Sequence, residues 1–293
     1  MDRRRLSTLL AGQVDSPVLR VEPMGSGVGG GVHRIVLADG SLLIAKASAG
    51  AARAIDLRVE ARMLDLLRER GLPTPSVVAA GSDLLVMERV DCDGSRGRGV
   101  EAHAADLLAS LHANLSPDGR YGLGEDNTIG SLPQPNGWMD DWAAFFGERR
   151  LTPMLESARR VGAVGGSLAA RVESLMARLG ELVPLRPPAS LIHGDVWSGN
   201  VLTREGRVAA FIDPAPYHAP AEMELAFIRL FSTFGRAFFD RYAERVGVEV
   251  FDPSGFERTR RDLYNLYPLL VHCTLFGAGY AGQVGENLSR LGF

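Results

Sequence analysis

The sequence predicts an α+β fold of two lobes, in which a small antiparallel sheet with one main helix precedes a larger, mostly helical lobe. Three observations lead to this prediction. Short apolar runs separated by glycine-rich turns dominate the first 90 residues, as expected for strands. A polar, glycine-rich stretch at residues 91–99 is typical of a linker. Helical periodicity then dominates to the C-terminus. We therefore predict an N-terminal lobe of residues 1–90 and a C-terminal lobe of residues 91–293.

The N-terminal lobe is predicted to contain a sheet and one helix. Asp39-Gly40 separates two apolar runs and favours a hairpin. Apolar residues recur on one face of residues 51–70, which predicts a helix that Gly71 and Pro73 end. The predicted strands are residues 18–24, 32–38, 42–46, 77–80 and 84–90.

The C-terminal lobe is predicted to consist of amphipathic helices interrupted by a short β region. Asp252 followed by Pro253 is a favourable helix start, and Pro268 is expected to kink the last helix. The predicted helices are residues 102–115, 140–150, 168–183, 224–246 and 253–276. The predicted strands are residues 191–192, 201–203 and 208–212.

Composition restricts the classes of protein to which the chain can belong. With 293 residues, 46% of them hydrophobic and 23% charged, it can bury a large core and is not disordered. The net charge of −3 argues against a general affinity for nucleic acid or anionic membranes. No apolar run reaches the roughly 18 residues of a membrane span. Cys92 and Cys273 form neither a zinc motif nor a disulfide framework, so we expect a cytoplasmic protein without nucleic-acid or membrane partners.

The strongest motif is His193-Gly194-Asp195, followed after four residues by Asn200, which matches the H-x-D-x-x-x-x-N spacing of a kinase catalytic loop. In such a loop Asp195 can accept the proton of an attacking hydroxyl, and Asn200 can offer a neutral oxygen to Mg²⁺. Asp213 follows the strand predicted over residues 208–212. A carboxylate there can bind a metal ion that bridges the β- and γ-phosphates. The pattern predicts Asp195 as the catalytic residue and Asn200 and Asp213 as metal ligands.

Lys46 is the only lysine among the 32 lysine and arginine residues of the chain. A compact ammonium is a standard phosphate ligand, so a lysine retained in an arginine-rich chain suggests a functional position. The preceding loop contains Gly25, Gly27 and Gly29, whose backbone N–H groups can contact phosphates. Glu60 on the following helix can hold Lys46 by an ion pair. No GxxxxGK[ST] motif is present, which excludes a P-loop NTPase.

Each of these features has a purely structural alternative. Glycine clusters are usually turns, a single helix glutamate such as Glu60 is usually solvated, and Asp213 before proline can form a turn. Asp195 and Asn200 can cap a loop, and His193 is expected to orient that loop rather than act as a base. The order of the features along the chain nevertheless favours a nucleotide-dependent phosphotransferase.

The sequence resembles the fructosamine kinase (ketosamine-3-kinase) family, a branch of the aminoglycoside phosphotransferase-like kinases. Residues 191–202, LIHGDVWSGNVL, are similar to that family's catalytic loop, including Trp197. Further marks of the resemblance are DNTIGS at residues 126–131, PQPNGW at 133–138, IDPA at 212–215 and FGAGY at 276–280. The resemblance implies a protein-kinase-like bilobal fold. It also implies ATP- and Mg²⁺-dependent phosphorylation of the sugar O3 of a ketosamine, the adduct of a sugar on an amine. The resemblance implies that the 3-phosphate is unstable and is lost by elimination, which frees the amine.

The resemblance further implies where the ligands bind. The adenine would lie against the predicted hinge strand, at Met87, Glu88 and Val90. The substrate would be a small-molecule ketosamine, with glycated proteins as a further possibility, bound by a monomer or a dimer. The predicted substrate contacts are Trp197, Asn127 and Trp138. For Trp138 and Trp142 a role as core anchors is an alternative.

Two features depart from the family pattern. Residues 25–29 contain no cysteine, so control of the glycine-rich loop by thiol oxidation is not expected. Glu224-Leu225-Ala226 replaces the usual Asp-Leu-Ala, and the longer Glu224 carboxylate is expected to brace the catalytic loop.

Two other functions are compatible with parts of the sequence. A kinase that acts on an aminoglycoside, choline or another alcohol would share the chemistry, although its cationic substrate would call for an acidic pocket. A nucleotide-binding pseudokinase is the second alternative. The presence of Lys46, Asp195, Asn200 and Asp213 together argues against it.

Overall fold

The computed structural model describes residues 3–27, 30–48, 56–247 and 251–293. It has the α+β fold that the sequence predicts, with an antiparallel sheet near the N-terminus and a mostly helical remainder. The sheet has the strand order β1-β2-β3-β5-β4. Its strands are β1 Val18–Gly27, β2 Gly30–Leu37, β3 Leu42–Ser48, β4 Val77–Ala80 and β5 Leu84–Glu88. Helix α1 spans Arg3–Leu10 and helix α2 spans Leu57–Glu69.

Alternation along the strands gives the sheet two apolar faces. One face, with Ile35 and Ala45, packs with Leu6 and Leu10 of α1. The other face, with Leu85 and Met87, packs on α2. The sequence analysis did not predict α1, because two leucines one turn apart are too short a pattern to recognise. The predicted helix over residues 51–70 is found as α2, and residues 51–55 lie outside the described part of the chain.

The rest of the chain is mainly helical and surrounds one large hydrophobic core that contains Trp142, Phe145 and Tyr264. The α-helices are α3 Arg98–His112, α4 Trp142–Phe145, α5 Thr152–Arg160, α6 Gly166–Met176, α7 Leu179–Leu182, α8 Glu222–Leu230, α9 Arg236–Val246, α10 Pro253–Gly255, α11 Arg261–Tyr264, α12 Leu266–Phe276 and α13 Ala281–Arg290. Phe146–Leu151 and Phe256–Arg260 are π-helical, and Ala278–Tyr280 is a 3₁₀ turn. In the described part of the chain no helix is both long and apolar enough to cross a membrane.

Three two-stranded ribbons interrupt the helices and support the loops between them. The pairs are β6 Asn127–Ile129 with β7 Leu132–Gln134, β8 Ser190–Ile192 with β11 Tyr217–Ala219, and β9 Val201–Arg204 with β10 Arg207–Phe211. The sequence analysis predicted β8, β9 and β10. It missed β6, β7 and β11, which have three residues each and are therefore too short to show alternation.

Three predicted long helices are wrong in their extent, and the first of them, predicted over residues 168–183, is divided into α6 and α7. The helix predicted over residues 224–246 is α8 and α9, separated by a turn in which Ser232 has a positive φ of 50°. The helix predicted over residues 253–276 is divided into α10, a π-helical turn, α11 and α12. The helix is interrupted at Asn265, three residues before Pro268, and the kink predicted at Pro268 stays a prediction. Because α12 begins at Leu266, Pro268 lies in the first turn, where a missing N–H breaks no helical hydrogen bond.

Candidate active site

Lys46 lies where the sheet meets the helical part of the chain. Strand β3 directs alternate side chains toward α2, and Lys46 Nζ donates to Glu60 Oε1 at 2.6 Å. The same ammonium donates to Asp213 Oδ1 at 2.9 Å, across 167 residues of sequence. Burial opposes the positive charge, but the two carboxylates outweigh it and raise the pKa of Lys46. The ammonium therefore stays charged and joins the sheet side of the site to the helical side.

The loop that contains Asp195 is held between two strands. It leaves β8 after Ile192 and enters β9 at Val201. The Asn200 amide nitrogen donates to Asp195 Oδ2 at 2.8 Å and to the Asp195 carbonyl at 2.9 Å. These bonds fix the amide orientation and leave its oxygen as the group that can bind a cation. Burial, together with the negative charge of Asp213, raises the pKa of Asp195 to about 7.

Asp213 is placed beside this loop by a backbone contact. The N–H of Ile212, at the end of β10, donates to the Asn200 carbonyl at 3.0 Å. Asp213 itself has φ 55°, a left-handed conformation that is unfavourable for a residue other than glycine and is often found at functional sites. The carboxylate of Asp213 and the amide oxygen of Asn200 are hard oxygen donors. This pair of residues fits a divalent cation that takes its remaining ligands from phosphates and water.

Glu224 of α8 braces the backbone of the same loop. Its Oε1 accepts the N–H of Gly194 at 2.7 Å, and its Oε2 accepts the N–H of His193 at 3.3 Å. Gly194 has φ +85°, and a Cβ there would lie 2.1 Å from the Ala215 carbonyl oxygen. Position 194 therefore requires glycine. The Glu224 carboxylate reaches the catalytic loop, as the sequence analysis expected.

These residues border one cavity of about 590 Å³ between the sheet and the helices. Lys46, Glu60, Asp195, Asn200 and Asp213 line it on the side of the proposed phosphate site. The lining also includes apolar and aromatic residues of α8, α12 and the turn that follows α12. The cavity thus joins a charged, hydrogen-bonding half to an apolar half. In shape and lining it is suited to a small organic molecule beside a phosphate donor.

The structure places the predicted glycines around one hairpin. Gly25 and Gly27 lie at the end of β1, where Gly27 pairs with Gly30 of β2, and Gly29 lies outside the described residues. Of the neighbouring glycines, Gly30 and Gly31 line the cavity. Contact of this hairpin with phosphates stays a prediction.

The predicted adenine contacts do not line the cavity. Met87 is buried against α2 with Leu57 and Leu64, Glu88 is exposed at the end of β5, and Val90 follows the strand. An adenine contact here would therefore depend on the backbone of residues 88–90 rather than on the Met87 side chain. That contact stays a prediction.

The three predicted substrate contacts have different surroundings. Asn127 and Trp197 line the cavity, and Asn127 Nδ2 also donates to the Pro216 carbonyl at 2.9 Å. Trp138 is half-buried and packs on His218 with ring centroids 5.5 Å apart. It is not part of the cavity lining, so the predicted substrate contact of Trp138 finds no support in the geometry. Trp142 is fully buried in the core, as its structural alternative predicted.

Sequence reasoning missed a buried polar network behind the cavity. Gln134 Nε2 donates to Asn127 Oδ1 at 2.7 Å, and the Tyr267 hydroxyl donates to Gln134 Oε1 at 2.6 Å. Arg150, also buried, donates to Asn136 Oδ1, and its guanidinium carbon lies 3.8 Å from the centroid of the Tyr217 ring. The marked segment at residues 133–138 was the available signal, but nothing in its spacing indicates which of its polar residues point inward.

Comparison with known proteins gives a consistent family. Residues 36–291 match a family model described as fructosamine kinase. A probable ketoamine kinase of Synechocystis is 36% identical over 215 residues, which cover 72% of this chain and 68% of that protein. A chloroplastic protein-ribulosamine 3-kinase of Arabidopsis thaliana is 36% identical over 206 residues, which cover 68% of this chain and 59% of that protein.

Solved structures agree with these relatives. The crystal structure of a putative fructosamine-3-kinase from Thermobifida fusca superposes with a TM-score of 0.84 at 31% identity, and covers 99% of this chain and 97% of that one. An ADP-bound aminoglycoside phosphotransferase superposes with a TM-score of 0.65 at 15% identity, covering 99% of this chain and 98% of that one. At that identity the likeness shows the kinase-like fold alone.

Proposed function

The chain belongs to the fructosamine kinase family, and from this premise we propose that it is an ATP-dependent kinase that phosphorylates the O3 hydroxyl of ketosamines. The observation that carries the proposal is the convergence of Lys46 and Asp213 at 2.9 Å on the cavity that Asp195 lines. The names of the ketoamine and ribulosamine kinase relatives support the substrate class.

Lys46 is proposed to bind the α- and β-phosphates of ATP. Its ammonium is kept charged by Glu60, which holds it from α2 at 2.6 Å. A fixed positive charge in a partly buried site stabilises negative charge on the phosphates without reorganisation during the reaction. Glu60 acts on the nucleotide only through Lys46, so we assign it a positioning role.

Asp195 is proposed to accept the proton of the sugar hydroxyl. As the proton leaves, the hydroxyl oxygen forms a bond to the γ-phosphorus and the bond from that phosphorus to the β-phosphate oxygen breaks, so ADP is released. The Asn200 amide and the Glu224-braced backbone hold the Asp195 carboxylate in place. Catalysis then depends mainly on positioning and charge neutralisation, as in other phosphoryl transfers.

Asn200 and Asp213 are proposed to hold Mg²⁺. When bound, a divalent cation supplies charge neutralisation on the β- and γ-phosphates. Asp213 is held by Lys46 before any cation binds, and its backbone position is fixed through Ile212 and Asn200. The residues of this chain therefore present two oxygen ligands on adjacent loops.

The geometry supports the ketosamine proposal better than the two alternatives. A cavity for a polycationic aminoglycoside should carry unpaired carboxylates, yet the carboxylates of the described lining residues contact Lys46, Asn200 or His112. A pseudokinase typically lacks one catalytic group, whereas Lys46, Asp195 and Asp213 surround one cavity here. Free ketosamines are the proposed substrates, with glycated proteins as a second form of the same group.

The test is incubation of the protein with Mg-ATP and the fructose, ribulose and erythrulose adducts of lysine. Phosphorus NMR should detect a new sugar phosphate ester, located on O3 by its coupling to the sugar protons. Asp195→Asn is the matched control, because it keeps the size and the hydrogen-bonding reach of the side chain but removes the base. Transfer to none of the adducts, or equal transfer by Asp195→Asn, would contradict the proposal.

A further inference from the structure

The apolar half of the cavity contains a cluster of four aromatic rings, which we call the aromatic wall: Phe231, His272, Phe276 and Tyr280. His272 is the central ring, and its centroid lies 4.7 Å from that of Phe231, 5.3 Å from that of Phe276 and 5.0 Å from that of Tyr280. All four line the cavity that Asp195 also lines. Phe276 is 55% exposed, so this lining residue reaches the solvent at the mouth of the cavity.

The aromatic wall is tied to the catalytic loop by a single helix. Glu224, which braces Gly194, and Phe227 lie on α8, and Phe231 caps its end. At a rise of about 1.5 Å per residue, Phe231 lies roughly 10 Å along the helix axis from Glu224. The facing helix α12 contributes residues at spacings of four, namely His272 and Phe276. Glu224 and Phe231 therefore lie toward opposite ends of α8, and both line the cavity.

The charges of the cavity are distributed unevenly. Among the described residues that line it, Lys46 is the only lysine or arginine, and it contacts Glu60 and Asp213. The wall therefore offers no cation to pair with a carboxylate on the substrate. It offers aromatic faces, which bind both alkyl chains and ammonium groups.

His272 adds one directed polar group to the wall. Its Nδ1 lies 2.8 Å from the Pro268 carbonyl, so Nδ1 must carry the proton and donate. Burial lowers the pKa of His272, which keeps the ring neutral near pH 7. In that tautomer Nε2 is an acceptor, which suits an ammonium N–H and repels no positive charge.

We propose that the aromatic wall binds the amine portion of the ketosamine, and that it selects amines with an extended apolar substituent over amines that carry a carboxylate beside the nitrogen. The inference rests on the proposed function, because only a ketosamine phosphorylated at O3 brings its amine to this wall. In a ketosamine the amine is attached to C1, and C1 is separated from C3 only by the carbonyl carbon. The nitrogen must therefore lie in the same cavity as Asp195, with its substituent directed toward Phe276 at the mouth.

The experiment compares two fructose adducts, those of n-hexylamine and of glycine, in steady-state kinetics at saturating Mg-ATP. The wild-type protein should show a higher kcat/KM for the hexylamine adduct. In Phe276→Ala that preference should fall roughly tenfold, through KM for the adduct, because one aromatic face of the amine site is lost. Phe276→Tyr should retain it, and KM for ATP should be unchanged in both variants.

Leu185→Ala is the matched control, since Leu185 is 84% exposed and outside the cavity lining. Equal kcat/KM for the two adducts in the wild-type protein, or an unchanged preference in folded Phe276→Ala, would overturn the inference and leave the proposed function intact. If the protein phosphorylates neither adduct and no other ketosamine, the proposed function is overturned, and this inference with it.

Discussion

The Glu224 carboxylate lies 2.9 Å from the ring of His112, and both side chains are almost fully buried. An ionised carboxylate only accepts hydrogen bonds, so His112 donates from Nε2, and its Nδ1 lies 2.7 Å from the Tyr242 hydroxyl. Burial opposes the charge of Glu224, but the hydrogen bonds from His112 and from the Gly194 backbone lower its pKa. A chain of polar groups thus runs from α9 through α3 and α8 to the catalytic loop.

Removal of the Glu224 carboxylate should destabilise the fold and lower turnover together. In Glu224→Ala the N–H groups of His193 and Gly194 and the ring of His112 lose their acceptor, which should lower the free energy of unfolding by about 3 kcal/mol, summed over three unsatisfied donors. Urea unfolding measures this value, and kinetics at a temperature where the variant is folded measure kcat. Glu224→Gln keeps one acceptor for Gly194 and should lie between wild type and Ala. An unfolding midpoint for Glu224→Ala equal to that of the wild type would refute the bracing role.

Replacement of Lys46 should impair the phosphoryl transfer more than the fold. Lys46→Met removes the charge that faces Glu60 and Asp213, so kcat should fall by roughly 100-fold, as for other fixed charges in active sites. Lys46→Arg keeps the positive charge. The Lys46 ammonium nitrogen lies 2.6 Å from a Glu60 oxygen and 2.9 Å from an Asp213 oxygen, and a larger, planar guanidinium cannot take that position, so the activity of Lys46→Arg should also be low.

Glu60→Gln is the companion to these two variants. It leaves Lys46 paired with Asp213 and should raise KM for ATP with a smaller loss in kcat. Equal activity of the wild type and Lys46→Arg would show that charge alone suffices at this position.

Several residues that line the cavity could be predicted from the sequence because their signals are local. The spacing of Asp195 and Asn200 reflects one loop, and Lys46 stands out because it is the only lysine of the chain. What local patterns lack is the partner of a buried side chain. His112 and Glu224 are 112 residues apart, and neither sequence neighbourhood specifies the other.

Element boundaries were predicted less well for a related reason. The break between α8 and α9 occurs at Ser232 and Thr233, a short polar interruption before Gly235 within an otherwise apolar, periodic stretch. The aromatic wall was visible only as the marked FGAGY segment, since the helix α8 that completes it comes from another part of the chain.

Substitution of Gly199 by alanine should displace Trp197. A Cβ at position 199 would lie between 2.3 and 2.7 Å from the indole ring, so the ring, which is 44% exposed, must move. Because Trp197 lines the cavity, KM for the ketosamine should rise several-fold while KM for ATP is unchanged. Gly180→Ala is the control, since a Cβ there meets no atom within 4 Å. Unaltered tryptophan fluorescence and KM in Gly199→Ala would count against a substrate contact by Trp197.

The pH dependence of turnover should report the raised pKa of Asp195. Burial and the charge of Asp213 raise it to about 7, so in the free protein the carboxylate is protonated below that pH and cannot accept the hydroxyl proton. The kcat/KM for Mg-ATP should therefore fall as pH decreases below about 7.

A cation at Asp213 offsets the repulsion between the carboxylates, so the acid limb of kcat, which reports the loaded protein, should lie at lower pH. Asp213→Asn removes the same negative charge without a cation, so a proton titration of this variant by carboxyl NMR should give Asp195 a lower pKa than in the wild type. Identical titrations in the two proteins would mean that burial alone sets the pKa of Asp195.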